Sequence, residues 1–213
     1  MKKLTILLIT AVFTLATSAF AGGMIGVKYG TGELDGNSKA YTAGSTTVAA
    51  QSGSKDNEFG AIFAEVNIKS SPISIGLEYV PFDADVSLNG SSSGGSANVS
   101  DYTTAYLLAM TDLKDISVYA KVGYSQADIG TVKANGHSTT INSNSTELEG
   151  IMYGVGIQSR ELPFAFGVVA RAEYTRTEFD DISVTTTSNG SASVKKTADG
   201  ELSTFTLSLA KSF

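Results

Sequence analysis

From residue 24 to the C-terminus the sequence repeats one pattern, in which apolar side chains alternate with small or polar ones. This period of two predicts β-strands with one apolar face, because successive side chains of a strand point to opposite faces. No convincing helical periodicity is present in this part of the chain. Eight segments carry the alternation: MIGVKYGTGEL, EFGAIFAEVNI, ISIGLEYV, DYTTAYLLAM, ISVYAKVGYS, GIMYGVGIQ, FAFGVVARAEYT and LSTFTLSLAKSF.

In each segment the larger apolar side chains are predicted to share one face. In the fourth segment this face is predicted to carry Tyr102, Tyr106, Leu108 and Met110, with Thr103, Ala105 and Ala109 opposite. The seventh strand is predicted to begin at Phe164, at the start of its alternating run. An even number of strands is typical of a closed antiparallel barrel.

The connections between the segments alternate in length. KSSP (69–72), DLKD (112–115) and SRELP (159–163) predict tight turns, whereas residues 35–57, 84–100, 126–147 and 176–201 predict four long polar connections. Three of the long connections contain an Asn-Gly pair, which favours a two-residue hairpin turn because both residues accept positive φ. We therefore expect extended hairpins, with these pairs at their turns: Asn89-Gly90, Asn135-Gly136 and Asn189-Gly190.

The N-terminus has the organisation of a secretory signal peptide. A basic start, MKK, precedes the apolar run LTILLITAVFTLA, and small residues follow at Ala19 and Ala21. The apolar run is too short for a spanning helix and is flanked as a signal peptide is. We predict cleavage after Ala21, which leaves residues 22–213 as a single domain.

Composition excludes several functional classes. The formal net charge is −6, which argues against a nucleic-acid partner. The chain has no Cys, so it has neither disulfides nor thiol chemistry, and its single His leaves few options for catalysis. No motif points to a cofactor or a metal, and we expect a monomer.

The faces opposite the apolar ones indicate which solvent the apolar faces meet. They carry mostly Gly, Ala, Ser and Thr, which suits the narrow lumen of an eight-stranded barrel rather than a freely solvated surface. Three cations and three carboxylates lie among them, and a confined interior tolerates such charges only as a balanced, paired set. We predict that the apolar faces point outward to lipid and that these six side chains form a lumen charge network: Lys28, Glu65, Glu78, Lys121, Arg171 and Glu173.

Aromatic residues cluster at the ends of the segments. At about 3.3 Å per residue and a tilt of about 40°, the runs from Ile73 to Tyr79 and from Phe164 to Tyr174 cover roughly 15–25 Å of height. This is close to the apolar band of an outer-membrane barrel, which has aromatic girdles at both rims. The predicted girdle comprises Tyr29, Tyr79, Tyr102, Tyr124 and Tyr174 on the loop side, and Phe164 and Phe213 on the turn side.

The last strand must also pair, because lipid offers no hydrogen bonds to an open sheet edge. The closing stretch FTLSLAKSF is apolar on one face and ends on an aromatic residue, unlike the frayed polar end of most domains. We therefore predict a closed eight-stranded antiparallel up-and-down transmembrane β-barrel, with the last strand hydrogen-bonded to the first.

The stretches VYAKVGYS, YGVGIQ and LSLAKSF, with the signal peptide and the terminal Phe, resemble the small outer-membrane β-barrels of the outer membrane protein A and opacity type. The resemblance implies an integral outer-membrane protein in contact with outer-membrane lipid and lipopolysaccharide, with its short turns in the periplasm. It also implies that the barrel-assembly machinery reads the strand ending in Phe213. Lys211 departs from the family pattern, in which an aromatic residue is more usual at that position.

Three functional hypotheses remain. The leading one is a non-enzymatic scaffold that displays four long extracellular loops, in a surface, adhesion or envelope-integrity role. The second is a narrow pore for ions or small solutes; by resemblance, pairs among Glu65, Glu78, Lys121 and Arg171 block or gate conduction. The third is a lipid A-modifying enzyme, for which His137 beside Ser138 is the one candidate base. His137 follows an Asn-Gly turn and is expected at a solvated loop tip.

Overall fold

The computed structural model describes residues 20–43, 46–81, 84–88, 95–129, 133–134, 141–143, 147–163, 166–186 and 194–213. Eight long strands lie in this part of the chain: β1 (Phe20–Ser38), β2 (Gln51–Ile68), β3 (Ile73–Val80), β4 (Gly95–Asp112), β5 (Ile116–Ile129), β6 (Glu147–Ser159), β7 (Val168–Thr186) and β8 (Val194–Ser212). Five short strands accompany them: Tyr41–Ala43, Thr46–Val48, Ala84–Leu88, Lys133–Ala134 and Ile141–Ser143. No helix among the described residues is long and apolar enough to cross a membrane.

The eight long strands form a closed antiparallel barrel in which each strand pairs with the next in sequence. The barrel closes between β8 and β1, from the pair Met24↔Ser212 to the pair Ser38↔Ala198. Beyond this ladder, Gly23 and Phe213 exchange two backbone hydrogen bonds of 3.0 Å each. The predicted fold class is therefore confirmed, and the last residue takes part in closure.

The stagger of the barrel follows from the pairing. The path of paired residues that starts at Met24 and passes once around all eight strands returns to β1 at Leu34. Such a displacement inclines the strands to the barrel axis, as closure of a sheet requires. Residues far apart on different strands are thereby brought to the same height in the lumen.

The strands on the loop side are longer than predicted, and the connections are correspondingly shorter. β1 continues to Ser38 and pairs with β2 as far as Gln51, and β7 pairs with β8 up to Thr186↔Val194. The predicted long connections 35–57 and 176–201 are thus largely strand. The apolar alternation ends before the strands do, because a hairpin in water needs backbone pairing but no apolar face. The three Asn-Gly pairs and His137 lie outside the described residues.

On the turn side, the first two turns occupy the predicted positions and the third does not. β7 begins at Val168 rather than Phe164, and the described parts of the connection from β6 are residues 160–163 and 166–167. Gly167 has a φ of +67°, a left-handed conformation that an extended strand does not contain, and Phe166 before it is 92% exposed in the turn. Phe164 lies outside the described residues.

The two faces of the wall follow the alternation, with β4 as the exception. Val27, Val122 and Leu207 point outward and are exposed, as predicted. In β4 the predicted faces are reversed. Ala105, Leu107 and Ala109 are exposed, whereas Tyr106 and Leu108 are buried in the lumen and Met110 packs against their cluster. Outward-facing Val66 and Leu77 are also buried.

Candidate functional site: lumen charge network and tyrosine girdle

Five strands supply the six predicted lumen charges. β1 provides Lys28, β2 provides Glu65, β3 provides Glu78, β5 provides Lys121, and β7 provides Arg171 and Glu173. All six belong to the inward face of their strands. Five of these side chains are buried, and the side chain of the sixth, Glu78, is only 12% exposed. The structure brings the six together in two groups.

The first group is a two-pronged ion pair between Arg171 and Glu65. Arg171 Nη1 lies 2.7 Å from Glu65 Oε1, and Arg171 Nη2 lies 2.8 Å from Glu65 Oε2. Tyr106 donates its hydroxyl to Glu65 Oε1 at 2.8 Å, and Arg171 Nε donates to Gln158 Oε1 at 2.7 Å. Both carboxylate oxygens are therefore satisfied, which offsets the cost of burying this pair.

The second group joins two ammonium groups to two carboxylates. Lys28 Nζ lies 2.6 Å from Glu78 Oε2 and 2.5 Å from Glu173 Oε1. Lys121 Nζ lies 3.1 Å from the same Glu173 oxygen and 3.4 Å from the same Glu78 oxygen. Tyr119 donates to the other oxygen of Glu173 at 3.0 Å. The formal charges of each group sum to zero.

Aromatic rings fill the space around these charges. Lys121 Nζ lies 3.8 Å from the centre of the Tyr106 ring, and the Arg171 guanidinium carbon lies 5.1 Å from that of Tyr119. Both distances allow cation–π attraction. The Tyr106 ring covers Gly76 so closely that any Cβ at that position would overlap it. The sequence did not identify Tyr106 as a lumen residue, because the adjacent Leu107 and Leu108 make the two faces of β4 hard to distinguish.

Apolar side chains close the lumen on the turn side of the charge network. Met24, Phe63, Val169 and Ala210 form one buried cluster there. A second cluster comprises Tyr106, Leu108, Tyr119 and Met152, which belong to β4, β5 and β6. Together with the paired charges, these clusters fill the cross-section with side chains, as expected for eight strands.

Hydroxyl groups line the lumen on the loop side of the network, and Tyr102 belongs to them. Its hydroxyl lies 3.0 Å from both Ser125 Oγ and Thr177 Oγ1, which are buried. Its ring meets Phe179 edge-on, with the centroids 6.4 Å apart. The prediction of Tyr102 in the lipid-facing girdle is therefore wrong: even-numbered residues of β4 point inward, and the phenol finds its hydrogen bonds there.

The other four predicted loop-side tyrosines lie on the outer wall, and Tyr153 lies there with them. Each is bonded to a residue of the adjacent strand, two positions towards the loop side of its paired neighbour. Tyr29 donates to Glu58 at 2.7 Å, and Tyr153 donates to Glu178 at 2.8 Å. The remaining partners are Asp101 for Tyr79, Glu149 for Tyr124 and Ser203 for Tyr174. We call these five tyrosines the tyrosine girdle.

At the turn side, Phe213 is exposed on the outer wall beside Lys211. Lys211 donates its ammonium to the backbone carbonyl of Phe166, so its charge has a polar partner at the barrel edge. In the part of the chain that the structure describes, no group of His, Asp or Glu side chains is placed to hold a metal ion.

A closed antiparallel barrel with an apolar outer wall and a charge-paired core defines an integral membrane β-barrel. The profile of the family described as "Outer membrane protein beta-barrel domain" matches residues 4–213, and the chain belongs to this family. The family places the protein in the outer membrane and confirms the resemblance to small outer-membrane β-barrels that the sequence indicated. No match was found among curated protein sequences.

Solved structures provide a second comparison. Outer membrane protease OmpT from Escherichia coli shares 9% identity at a TM-score of 0.50, over 93% of this chain and 99% of that chain. Neisserial surface protein A shares 14% at 0.47, over 89% and 97%. Ail, the attachment invasion locus protein of Yersinia pestis, shares 12% at 0.43, over 91% and 100%. At these identities the likeness concerns the fold alone.

Proposed function

We propose that the protein is a non-conducting, non-enzymatic scaffold of the outer membrane that holds its loop-side hairpins at the cell surface. The observation that carries this proposal is the closure of the lumen by two neutral ion-pair groups next to an apolar layer.

The mature chain begins near Gly22, after removal of the signal peptide. β1 already starts at Phe20, two residues before that predicted site.

The energetics of the lumen support a closed state. An ion that crosses the barrel must disrupt one of the two ion-pair groups. It must either separate Arg171 from Glu65, or separate Lys28 and Lys121 from the carboxylates of Glu78 and Glu173. Leaving a buried charge without its partner costs about 3–5 kcal/mol. The ion must then pass the layer around Met24 and Phe63, which offers no polar ligands to replace its hydration shell.

The loop-side extensions support the scaffold role. β7 continues from Tyr174, in the tyrosine girdle, to Thr186, and β8 returns from Val194. Lys39 pairs with Asp181 at 2.5 Å and donates its backbone N–H to Thr197, so β1 is tied to this hairpin beyond the girdle. The hydrogen bond with Asp181 raises the pKa of the Lys39 ammonium. These paired strand ends beyond the tyrosine girdle hold the connecting loops above the membrane surface.

Two measurements test this proposal. In planar bilayers, refolded protein should give no steady, resolved openings, while a porin in the same bilayers does; regular openings of the folded barrel would overturn the closed lumen. The absence of cysteine allows single labels. On intact cells, an impermeant maleimide should modify Ser52→Cys on the loop side and spare Lys114→Cys in a turn. The reverse labelling would overturn surface display.

A narrow gated pore is the second candidate, and one feature favours it. Lys28 and Lys121 share the same oxygens of Glu78 and Glu173, so a small movement of either ammonium changes its partner. Under this alternative, the wild-type barrel opens in the bilayer experiment, and Glu78→Gln changes the fraction of time that it is open. Silence of both proteins excludes it.

A further inference from the structure

The first residues of β1 change their pairing at the predicted signal-peptide cleavage site. From Met24 towards the loops, β1 is in regular register with both of its neighbours, β2 and β8. On the β2 side the register shifts between Phe20 and Gly23. The irregularity therefore contains Ala21 and Gly22, which lie on either side of the bond at which we predict cleavage.

The backbone of Gly22 requires glycine as long as a residue precedes it. Its φ is +134°, a conformation that L side chains rarely adopt. A Cβ on Gly22 would also lie 2.9 Å from the backbone oxygen of Phe213. Cleavage after Ala21 removes the peptide bond that defines this φ. The conformational requirement then disappears, whereas the close approach of Gly22 to Phe213 remains.

Gly23 and Phe213 form the last pair at the seam, which is the ladder where β8 meets β1. Each donates its backbone N–H to the backbone oxygen of the other at 3.0 Å. The Phe213 ring covers Gly23 so closely that a Cβ there would lie 3.1 Å from ring atom Cζ. Gly23 is buried and Gly22 is half-buried. Because the ring shields this pair from water, hydrogen bonds are stronger here than at an open strand end.

Cleavage gives Gly22 an α-ammonium group that is free to turn about the Cα–C bond. This rotation carries the nitrogen into the tetrahedral position that a Cβ would occupy, and no other heavy atom has to move. The N–Cα and Cα–Cβ bonds have similar lengths, so the nitrogen then lies within hydrogen-bond range of the Phe213 oxygen, about 2.7–3.2 Å.

We propose that signal-peptide cleavage between Ala21 and Gly22 creates a third hydrogen bond at the seam, from the new Gly22 ammonium to the backbone oxygen of Phe213. Such a charge-assisted bond is about twice as strong as a neutral one. Processing thereby strengthens closure, because the precursor has no charge at this position. The proposal rests on removal of the signal peptide, which is part of the proposed function, but not on a closed lumen or on surface display.

Three N-termini test this bond in otherwise identical mature chains refolded in detergent. One chain begins at Gly22, the second is the same chain acetylated on the Gly22 nitrogen, and the third keeps Ala21 as its first residue. Acetylation removes the charge, and Ala21 moves it one residue away from the seam. Hydrogen exchange of the Gly23 and Phe213 amides is followed by NMR. It should be about fivefold slower in the chain that begins at Gly22 than in the other two.

The Ala120 amide is the internal control, because β5 lies across the barrel from the seam. It should exchange equally in all three chains, and heat-dependent gel mobility checks that each is folded. Equal exchange of the seam amides in the free and acetylated chains would overturn the proposed bond. Equal exchange in the chains that begin at Ala21 and Gly22 would overturn its position.

The intact mass of the protein isolated from outer membranes tests the cleavage site separately. It should correspond to a chain that begins at Gly22, and a mature chain that begins elsewhere would overturn the proposal. Neither failure changes the results expected in the bilayer and labelling experiments, so the proposed function and this inference can fail independently.

Discussion

Arg171 on β7 and Glu65 on β2 meet in the lumen through two nearly parallel hydrogen bonds of 2.7 and 2.8 Å. Both side chains are buried, and Tyr106 and Gln158 satisfy their remaining polar groups. This pair links strands that are not neighbours in the sheet. It therefore holds the two strands together across the lumen and keeps two buried charges paired.

Removal of one partner should therefore destabilise the barrel strongly. Arg171→Ala leaves the Glu65 carboxylate buried without its counter-ion, and we expect a loss of about 3–5 kcal/mol in the free energy of unfolding. Urea titration in detergent micelles measures this, with the folded fraction read from the gel mobility of unheated samples. Replacement of both residues by Met should cost less than either single substitution, because no buried charge remains.

The control for this prediction is Arg176→Ala. Arg176 pairs with Glu201 on the outer face, and its side chain is 41% exposed. Exposed pairs contribute about 0–1 kcal/mol, so this variant should unfold close to the wild type. Equal losses in Arg171→Ala and Arg176→Ala would contradict a special role of the buried pair.

Gly76→Ala tests how closely the Tyr106 ring fits the lumen. A Cβ on Gly76 would overlap this ring and lie 2.6 Å from its hydroxyl oxygen, so the ring must move away from Glu65. We expect a loss of about 1–3 kcal/mol, typical of overpacking, in the same urea titration. Gly53→Ala on β2 is the matched control, since a Cβ there meets no atom within 4 Å. A harmless Gly76→Ala would mean that the ring lies elsewhere.

A charge on the outer wall should reveal the hydrocarbon. Leu209 is 53% exposed and lies on β8 between the tyrosine girdle and the turns. Leu209→Arg should cost about 2–4 kcal/mol in lipid vesicles, because lipid solvates the cation poorly near the midplane. Thr31 on β1 is the paired neighbour of Glu58 and lies beyond the girdle. Thr31→Arg should therefore cost only about 0–1 kcal/mol. Similar costs for both in vesicles would argue against a membrane-embedded wall.

Phe213→Ala separates assembly in the cell from intrinsic stability. The substitution keeps the two backbone hydrogen bonds to Gly23 but removes the terminal aromatic ring that assembly machinery is expected to read. The amount of folded barrel in the outer membrane should fall several-fold, while refolding from urea into detergent stays close to that of the wild type. An equal defect in both assays would indicate a structural role of the ring instead.

The sequence predicts the wall of this barrel better than its interior. From Ile25 to Tyr29 on β1 and from Phe205 to Leu209 on β8, the apolar residues are separated by Gly, Lys, Ser or Thr, so one face is clearly apolar. On β4, Leu107 and Leu108 are adjacent, and both faces carry large apolar side chains. The inward direction of Tyr106 depends on Gly76 and Glu65 of other strands. Alternation within one strand contains no information about such partners.

The apolar alternation also does not predict where the strands end. The apolar alternation measures only the part of each strand in lipid, whereas β7 and β8 pair well past Tyr174. Tyr153 shares the environment of the predicted girdle residues, and Glu178 diagonally opposite is its partner. That relation requires the register between β6 and β7, which a single strand cannot supply.

Alternate side chains of the barrel contact hydrocarbon, while the others are enclosed in a charge-paired lumen. Nuclear Overhauser effects between lipid acyl protons and the protein, measured in lipid nanodiscs, test this division of the side chains. We expect cross-peaks from acyl chains to Val27, Val122 and Leu207, and none to Tyr106, Lys121 or Arg171. Acyl cross-peaks to Tyr106 or Arg171, with Val122 and Leu207 in contact with water alone, would contradict it.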